Sequence, residues 1–283
     1  MNTISLKLSN EEIAKLQAVF KDSIVKNDNP YIKTFIKSED VTISIYTSNK
    51  VVFQGKDAHI YAAGMMKKDR AMAGSDEVGT GDYFGPVCVC AAIVEVEDYE
   101  FLSDLRVDDS KQVSDEVIMQ VAPKLMERLK YSLLILSNKQ YNHVHETNNM
   151  NKIKAKMHNQ AYINLLHKGY KIPSAAYIDQ FEDRQLYFNH IKDEKEVYRD
   201  LNFETKAESK YVAVAAASII ARYAFLKSMD AMSKAYNFNF AKGAGDNVDL
   251  CGADFVKKFG QAKLNEVAKL HFKNTEKIIS LSK

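Results

Sequence analysis

Two adjacent carboxylates, Asp76 and Glu77, stand immediately before a glycine-rich segment, residues 78–86, that leads into the apolar run 87–94. Hard cations such as Mg²⁺ take oxygen ligands and leave coordination positions for water and phosphate. Glycines let a backbone approach a sugar or a phosphate closely, because they carry no side chain. The combination indicates metal-assisted phosphodiester chemistry. Taken alone, an Asp-Glu pair is more often a solvated strand end.

The glycine segment does not match a dinucleotide-binding loop. Such a loop has the spacing G-x-G-x-x-G and opens a helix, whereas Gly79, Gly81 and Gly85 miss that spacing and Pro86 follows them. The apolar run that comes next is rich in β-branched and small residues, so the pattern predicts strand, glycine turn, strand. Successive strand residues point to opposite faces, and the two acids can therefore share a site only at a strand end or a bulge.

Two further acids follow segments that should be buried. Residues 174–178 predict a buried strand that ends in Asp179, and Glu208 precedes the small-residue helix 211–222. Sites collect at strand ends in α/β sheets, and an alanine-rich helix packs closely enough on a sheet to hold Glu208 near those ends. Either acid alone would usually be a turn residue or a helix-end charge.

Residues 1–66 have the pattern of a separate module, followed by a linker near 64–69 and a larger domain over 67–283. A capping box at Ser9–Glu12 opens an amphipathic helix that should reach about Lys26. Residues 31–37, 41–47 and 51–54 then predict strands.

The sheet face away from that helix should combine lysines with aromatic rings. The residues concerned are Tyr31, Lys33, Phe35, Lys37 and Tyr46. This composition suits nucleic acid, because cations neutralise phosphates while rings meet sugars or bases. An ordinary solvated face whose lysines guard the sheet edge explains the pattern equally well.

Composition limits the class of protein. The chain has 283 residues, 46% of them hydrophobic, which is ample for a buried core. Its net charge is +2, with 11 Lys and Arg against 8 Asp and Glu in residues 1–70 and 28 against 29 in the remainder. The apolar runs look too short to span a bilayer and no signal-peptide pattern is present. We therefore expect a soluble cytoplasmic protein in which Cys88 and Cys90 share one buried strand face.

The remaining segments predict supporting elements. Ser114 should cap a helix that Pro123 breaks. Residues 131–136 should form a strand, and residues 151–168 should form a helix that ends at Gly169. His158 lies on that last helix. Because no nearby residue supplies an orienting partner, it is interpreted as a surface or structurally bonded histidine rather than a general base.

Asp76–Pro86 closely resembles the opening motif of type 3 ribonuclease H (ribonuclease HIII), a bacterial family that cuts the RNA strand of RNA–DNA hybrids. The related type 2 enzymes usually carry Arg where Thr80 stands. Residues 108–111 resemble the Asp-Ser-Lys segment of both families, and residues 240–249 and 268–275 resemble the type 3 C-terminus. The resemblance covers nearly the whole chain.

The resemblance implies a ribonuclease H-like α/β domain, with a mixed sheet and flanking helices, behind a small α+β substrate-binding domain that resembles half of the TATA-binding protein. It implies that the partner is an RNA–DNA hybrid. We also expect a monomer and, from the short apolar runs, no membrane partner. Asp76, Glu77 and Asp179 would hold two Mg²⁺ or Mn²⁺ ions. Glu208, which is Asp in type 2 enzymes, would be a fourth ligand or an outer-shell acid.

The implied substrate contacts are backbone groups of Gly79, Thr80 and Gly81 against ribose 2′-hydroxyls, and Lys111 against a phosphate. The implied reaction is endonucleolytic hydrolysis of the RNA strand, leaving 5′-phosphate and 3′-hydroxyl ends. Two alternatives remain, namely a type 2 enzyme acting at single ribonucleotides in DNA and a catalytically silent hybrid-binding protein. Thr80, Glu208 and the N-terminal module argue against the first, and the full set of acids argues against the second.

Overall fold

The computed structural model describes residues 2–38, 41–55, 58–63, 70–105, 107 and 114–283. Two five-stranded sheets organise these residues, one formed by the N-terminal segment and one by the rest of the chain. The expected linker at 64–69 and the expected phosphate contact Lys111 lie outside the described residues.

The N-terminal sheet is antiparallel throughout, with its helices packed against one face. Its elements are β1 (Asn2–Lys7), α1 (Asn10–Val19), β2 (Ile24–Val25), β3 (Ile32–Lys37), β4 (Thr42–Tyr46), β5 (Lys50–Gly55) and α2 (Ala58–Ala63). The strand order is β1-β5-β4-β3-β2. Ile13 and Leu16 of α1 pack on Ile36, Ile43 and other buried residues of the sheet. The predicted α+β module is confirmed.

Helix α1 starts at the predicted capping box but ends well before the predicted Lys26. Ser9 accepts a hydrogen bond from the Glu12 amide, and the Glu12 carboxylate accepts one from the Ser9 amide. The helix stops at Val19, and Ile24–Val25 pair with β3 instead. These two β-branched residues gain ladder hydrogen bonds at the sheet edge that a longer helix would forgo. Strand β1 is a further element that the prediction missed.

The second sheet is mixed and lies between two layers of helices. Its elements are β6 (Met72–Val78), β7 (Val87–Val94), α3 (Tyr99–Asp104), α4 (Asp115–Arg128), β8 (Lys130–Leu136), α5 (Asn138–His145), α6 (Met150–His167), β9 (Ala176–Asp179), α7 (Arg184–His190), β10 (Asn202–Glu204), α8 (Val212–Tyr236), α9 (Asp246–Phe259), α10 (Leu264–Val267) and α11 (Asn274–Leu281). The order is β10-β9-β6-β7-β8. Strands β6, β7 and β8 are antiparallel neighbours, whereas β9 and β10 run parallel to β6. The predicted mixed sheet with flanking helices is confirmed.

Strand β7 is buried on both faces, and its residues alternate between two cores. Cys88 and Cys90 join the core beneath α8, while Val89 and Ala91 join the core beneath α6. The prediction that the two cysteines share one buried face is confirmed, and both are free thiols.

Helix α8 is the central helix of this domain and extends far beyond the predicted 211–222. Its 25 residues are long and apolar enough to cross a bilayer by length and composition, which corrects the expectation from the apolar runs. The helix is instead part of the protein core, since 67% of its most apolar window is buried within the protein. Val214, Ala217 and Ala221 are among its fully buried residues.

Helix α4 passes through Pro123 without a break, contrary to the prediction. Ser114 caps it as expected by accepting a hydrogen bond from the Val117 amide. A proline removes one backbone hydrogen bond and crowds the preceding turn. Burial of Val121, Ala122 and Leu125 in the core shared with α8 holds the helix together around that defect.

The contact between β6 and α8 leaves no room for a side chain at Gly74. A Cβ at this position would lie 2.3 Å from the Val214 backbone nitrogen. We expect Gly74→Ala to lower the free energy of unfolding by about 1–3 kcal/mol or more, because the helix must move. Urea denaturation measures this. Gly81→Ala, where a Cβ would meet nothing within 4 Å, is the matched control, and equal effects in the two variants would contradict the packing argument.

Candidate active site

The four predicted acids line a single open cleft of about 530 Å³ beside the end of strand β6. Its walls come from β6, β9, the N-terminal end of α4, and helix α8. The lining residues are Asp76, Glu77, Val78, Asp82, Asp115, Ile118, Asp179, Glu208, Ser218, Ile219, Arg222, Phe225, Leu226 and Lys242. The structure thus brings together Asp76, Glu77, Asp179 and Glu208 from segments far apart in the sequence.

Asp76 and Glu77 approach the cleft from opposite faces of the sheet. They pair in regular register with Cys90 and Val89, so no bulge separates them. The Asp76 carboxylate is hydrogen-bonded to Ser218 on α8. Glu77, in contrast, is bonded to side chains of α6 on the other face. The two acids line one cleft because they lie near the end of the strand.

A short turn couples Asp179 to Glu208. Asp179 ends β9, which lies beside β6, and its Oδ1 accepts a hydrogen bond from the Ala207 amide at 2.8 Å. Ala207 begins the 3₁₀ turn Ala207–Ser209 that carries Glu208. Glu208 is only 4% exposed, at the foot of α8. The predicted placement of both acids near the strand ends is therefore observed.

The two adjacent acids have opposite electrostatic environments. Burial, followed by the charges of Glu77 and Asp179, holds the pKa of Asp76 well above its usual value. Burial also acts to raise the pKa of Glu77, but hydrogen bonds and positive charge from His158 and Lys154 outweigh it and lower that pKa. The influences that prevail at Asp76 therefore disfavour its charged form, whereas those that prevail at Glu77 favour it.

Sequence reasoning missed two cationic side chains in the lining of the cleft. Arg222 of α8 and Lys242 both pair with Asp115, the first residue of α4, with Arg222 Nη2 at 2.7 Å from its Oδ1. Burial is the largest single influence and acts to raise the pKa of Asp115, but the hydrogen bonds and charges of Lys242 and Arg222 together outweigh it and lower that pKa. In the sequence, Asp115 has the pattern of an acid at the start of a helix. No local pattern relates it to Arg222 or Lys242, which are more than 100 residues away.

The glycine turn needs two of its three glycines for backbone reasons. Gly79 and Gly85 have φ angles of +94° and +85°, a region that favours glycine. A Cβ on Gly79 would also lie 2.2 Å from the Pro86 carbonyl oxygen. Gly81 has neither constraint and is exposed, whereas Thr80 is half-buried. The backbone at Gly81 is therefore open to a ligand.

Buried Lys269 braces the same turn. Its Nζ donates hydrogen bonds to the carbonyl oxygens of Asp82 and Gly85, at 2.8 and 2.5 Å. Burial lowers the pKa of Lys269 to about 7. The Asp82 Oδ1 accepts a further bond from the Gly243 amide at 2.6 Å. The C-terminal segment thus fixes the loop that follows the two acids.

His158 has partners that the sequence did not reveal. It is fully buried, with Nδ1 at 2.8 Å from Ser75 Oγ and Nε2 at 2.9 Å from Glu77 Oε2. The interpretation as a structurally bonded histidine agrees with this, but the premise that it lacks an orienting partner is wrong. Its partners come from strand β6, which is remote in sequence, so a search among its sequence neighbours could not find them.

The cleft has suitable chemistry for a divalent ion. Its acids offer carboxylate oxygens, which hard cations prefer, and the crowding that raises the pKa of Asp76 is relieved by a bound cation. Within the described parts of the chain, no three His, Cys, Asp or Glu side chains converge closely enough to hold an ion unaided. Mg²⁺ commonly keeps several waters and binds one or two carboxylates together with substrate phosphates, so these acids fit such an ion.

The N-terminal residues predicted to bind substrate lie on or beside strands β3 and β4. Lys33 and Lys37 are exposed, Tyr31 is 69% exposed, and Phe35 and Tyr46 are half-buried. Phe35 and Lys37 stand in regular register with β4, but Lys33 falls where the β3–β4 register shifts, and Tyr31 precedes β3. The predicted face is thus less regular than strict alternation implied.

Comparisons with known proteins agree along the whole chain. The family model described as Ribonuclease HII matches residues 73–275, and a domain of unknown function (DUF3378) matches residues 3–75. The chain is 40% identical to ribonuclease HIII of Streptococcus mutans, covering 100% of this chain and 99% of the relative. It is 38% identical to ribonuclease HIII of Bacillus pumilus, covering 96% and 97%. It is similar in structure to Bst-RNase HIII in complex with Mn²⁺, with a TM-score of 0.77, 35% identity and coverage of 100% and 99%.

The raised pKa of Asp76 predicts a stability penalty in metal-free protein. A carboxyl whose pKa is higher in the folded state destabilises the fold as pH rises from the unfolded value, about 3.9, through the folded one. We therefore expect Asp76→Asn in EDTA to unfold at higher denaturant than the natural protein at neutral pH, with the difference vanishing in acid. Denaturation midpoints across a pH series measure this. A variant less stable at neutral pH would contradict the assigned charge crowding.

Proposed function

We propose, because the chain belongs to the ribonuclease HIII family, that it is an endonuclease that hydrolyses the RNA strand of RNA–DNA hybrids. The observation that carries the proposal is the convergence of Asp76, Glu77, Asp179 and Glu208 on one cleft. Asp82 also lines this cleft and follows the exposed Gly81 in the chain. The products would be 5′-phosphate and 3′-hydroxyl ends. The cytoplasm would be its place of action and the monomer its working form.

Asp76, Glu77 and Asp179 would hold two Mg²⁺ or Mn²⁺ ions, with Glu208 as a fourth ligand or an acid behind them. Such ions neutralise developing charge and lower the pKa of bound water. The contribution of the protein is to bring these carboxylates together in one cleft. The Ala207 amide orients Asp179, and Ser218 orients Asp76.

Discrimination of RNA from DNA would depend on the turn after the acids. A 2′-hydroxyl both donates and accepts hydrogen bonds, so backbone amides and carbonyls can read it. The exposed backbone of Gly81, with Thr80 and Gly79 beside it, would make this contact. Lys269 supports it by holding the carbonyls of Asp82 and Gly85 in place.

Phosphates of the hybrid would meet positive charge on two surfaces. Arg222 and Lys242 line the cleft and are both oriented by Asp115. The N-terminal module would add a second grip through Lys33, Lys37 and the rings of Tyr31, Phe35 and Tyr46. Lys111 would contact a further phosphate.

A cleavage assay tests the catalytic assignment. Asp179→Asn removes a carboxylate charge at nearly constant shape, so we expect a loss of turnover exceeding the ~10–100-fold typical of an outer-shell change. Hybrid binding and stability should persist. The substrates are a uniform RNA–DNA hybrid and a DNA duplex with one ribonucleotide, each with Mg²⁺ and with Mn²⁺. Preference for the second substrate would instead indicate type 2 activity.

The matched control for that assay is Asp183→Asn. Asp183 is an exposed acid four positions along the chain that caps α7 by accepting a hydrogen bond from Gln185, a role that Asn can also fill. It should cleave like the natural protein. Normal turnover in Asp179→Asn would remove that residue from the site.

Binding of the hybrid by the N-terminal module predicts a change in the salt dependence of hybrid affinity. Replacing both Lys33 and Lys37 by Ala should reduce the slope of log affinity against log salt by about 0.9 for each lost phosphate contact. Hybrid binding measured over a salt series checks this, with turnover at saturation nearly unchanged. The control replaces Lys15 and Lys21, which are exposed near α1 rather than on the strands. Equal slopes in both double variants would place the grip elsewhere.

A further inference from the structure

Two side chains of α6 are hydrogen-bonded to the Glu77 carboxylate, one to each oxygen. Lys154 Nζ lies 3.0 Å from Oε1, and His158 Nε2 lies 2.9 Å from Oε2. The two residues are four apart, so they stand on one face of the helix, one turn from each other. Glu77 therefore receives a two-point contact from a single rigid element.

Both gripping residues are themselves held in place. His158 has no exposed surface, and its other ring nitrogen is bonded to Ser75 Oγ at 2.8 Å. Its ring stacks with that of Phe181, with centroids 5.6 Å apart. Lys154 is also buried, and its ammonium lies 3.8 Å from the centroid of the same Phe181 ring. If either side chain turned away, it would lose a second contact besides Glu77, namely Ser75 for His158 and the Phe181 ring for Lys154.

The grip leaves part of the carboxylate available. An ionised carboxylate has about four lone-pair sites on its two oxygens, and the two contacts occupy two of them. Glu77 also lines the cleft. One set of lone pairs thus points to α6, and the rest remain for a ligand in the cleft.

The pleat of β6 explains why such a grip is needed. Glu77 follows Asp76 directly and so points to the opposite face of the sheet. Without partners its side chain would be drawn toward solvent, because a buried unpaired carboxylate is costly. Ser75, two positions earlier, shares the Glu77 face and connects the strand to His158. Strand and helix together determine the orientation of this one acid.

We propose that Lys154 and His158 are positioning residues that fix the Glu77 carboxylate for the divalent ion in the cleft. The inference rests on the proposed function. Neither residue is among those that line the cleft, so each would act through Glu77. Ligating carboxylates are commonly hydrogen-bonded by outer-shell partners, whose loss costs about 10–100-fold in metal affinity or activity.

The test uses Lys154→Met and His158→Ala, with Lys154→Arg and His158→Gln as conservative variants that retain a donor. Mn²⁺ affinity is measured by calorimetry without substrate, and cleavage of the hybrid is followed over a Mn²⁺ titration. We expect about 10–100-fold weaker Mn²⁺ binding in the first pair. Cleavage should be regained partly at high Mn²⁺, the Michaelis constant for hybrid should stay near its natural value, and the conservative variants should rescue in part.

Two matched controls lie on the same helix. Lys156 pairs with Glu194 at 2.8 Å and His167 with Glu196 at 3.0 Å, both on the protein surface. Lys156→Met and His167→Ala remove the same groups from α6 without touching Glu77, so Mn²⁺ affinity and cleavage should not change. Thermal unfolding in EDTA identifies any variant that fails to fold. If His158→Ala does not fold, Lys154→Met and His158→Gln still test the positioning role.

Unchanged Mn²⁺ binding in folded Lys154→Met and His158→Ala would overturn the proposal. Tighter Mn²⁺ binding would also overturn it, because it would show that the Lys154 ammonium competes with the ion. Weakening equal to that in the controls would also overturn it. If the natural protein cleaves neither substrate with any metal, the proposed function fails. The calorimetric Mn²⁺ affinities of the variants then judge the positioning role separately.

Discussion

The pleat of strand β6 is the constraint on which the site depends. Consecutive residues of a strand point to opposite faces, and Asp76 and Glu77 are consecutive in a regular ladder. One acid must therefore be supported from α8 and the other from α6. A sheet covered by helices on both faces meets this requirement, and the strand end lets both carboxylates reach the same cleft.

The close fit of α8 on β6 is the second condition. Gly74 admits the helix backbone where any Cβ would clash. At that distance Ser218 is hydrogen-bonded to Asp76, and Arg222 is hydrogen-bonded to Asp115, which also lines the cleft. The same helix begins just after the turn that carries Glu208. One packing contact therefore places residues of both signs around the cleft.

The arrangement concentrates negative charge in a buried region at some cost in stability. The raised pKa of Asp76 expresses that cost, while Lys154 and His158 relieve it for Glu77. Buried like charges favour a bound cation and, by the same electrostatics, repel a polyanion. In the proposed function, the positive charge of Arg222 and Lys242 and the surplus of 11 Lys and Arg over 8 Asp and Glu in residues 1–70 would counter that repulsion.

Because periodicity, capping and glycine spacing are local, the sequence alone determined the strand–turn–strand around Asp76, the N-terminal α+β sheet, the strand that ends at Asp179 and the buried helix that follows Glu208. It misjudged the ends of α1 and α8 and the passage through Pro123, where tertiary packing outweighs local propensity. Only the tertiary structure showed His158 and Lys154 on Glu77, and Arg222 with Lys242 on Asp115. These pairs join residues far apart in the chain, and a buried charge is satisfied by whatever partner the fold brings within hydrogen-bond distance.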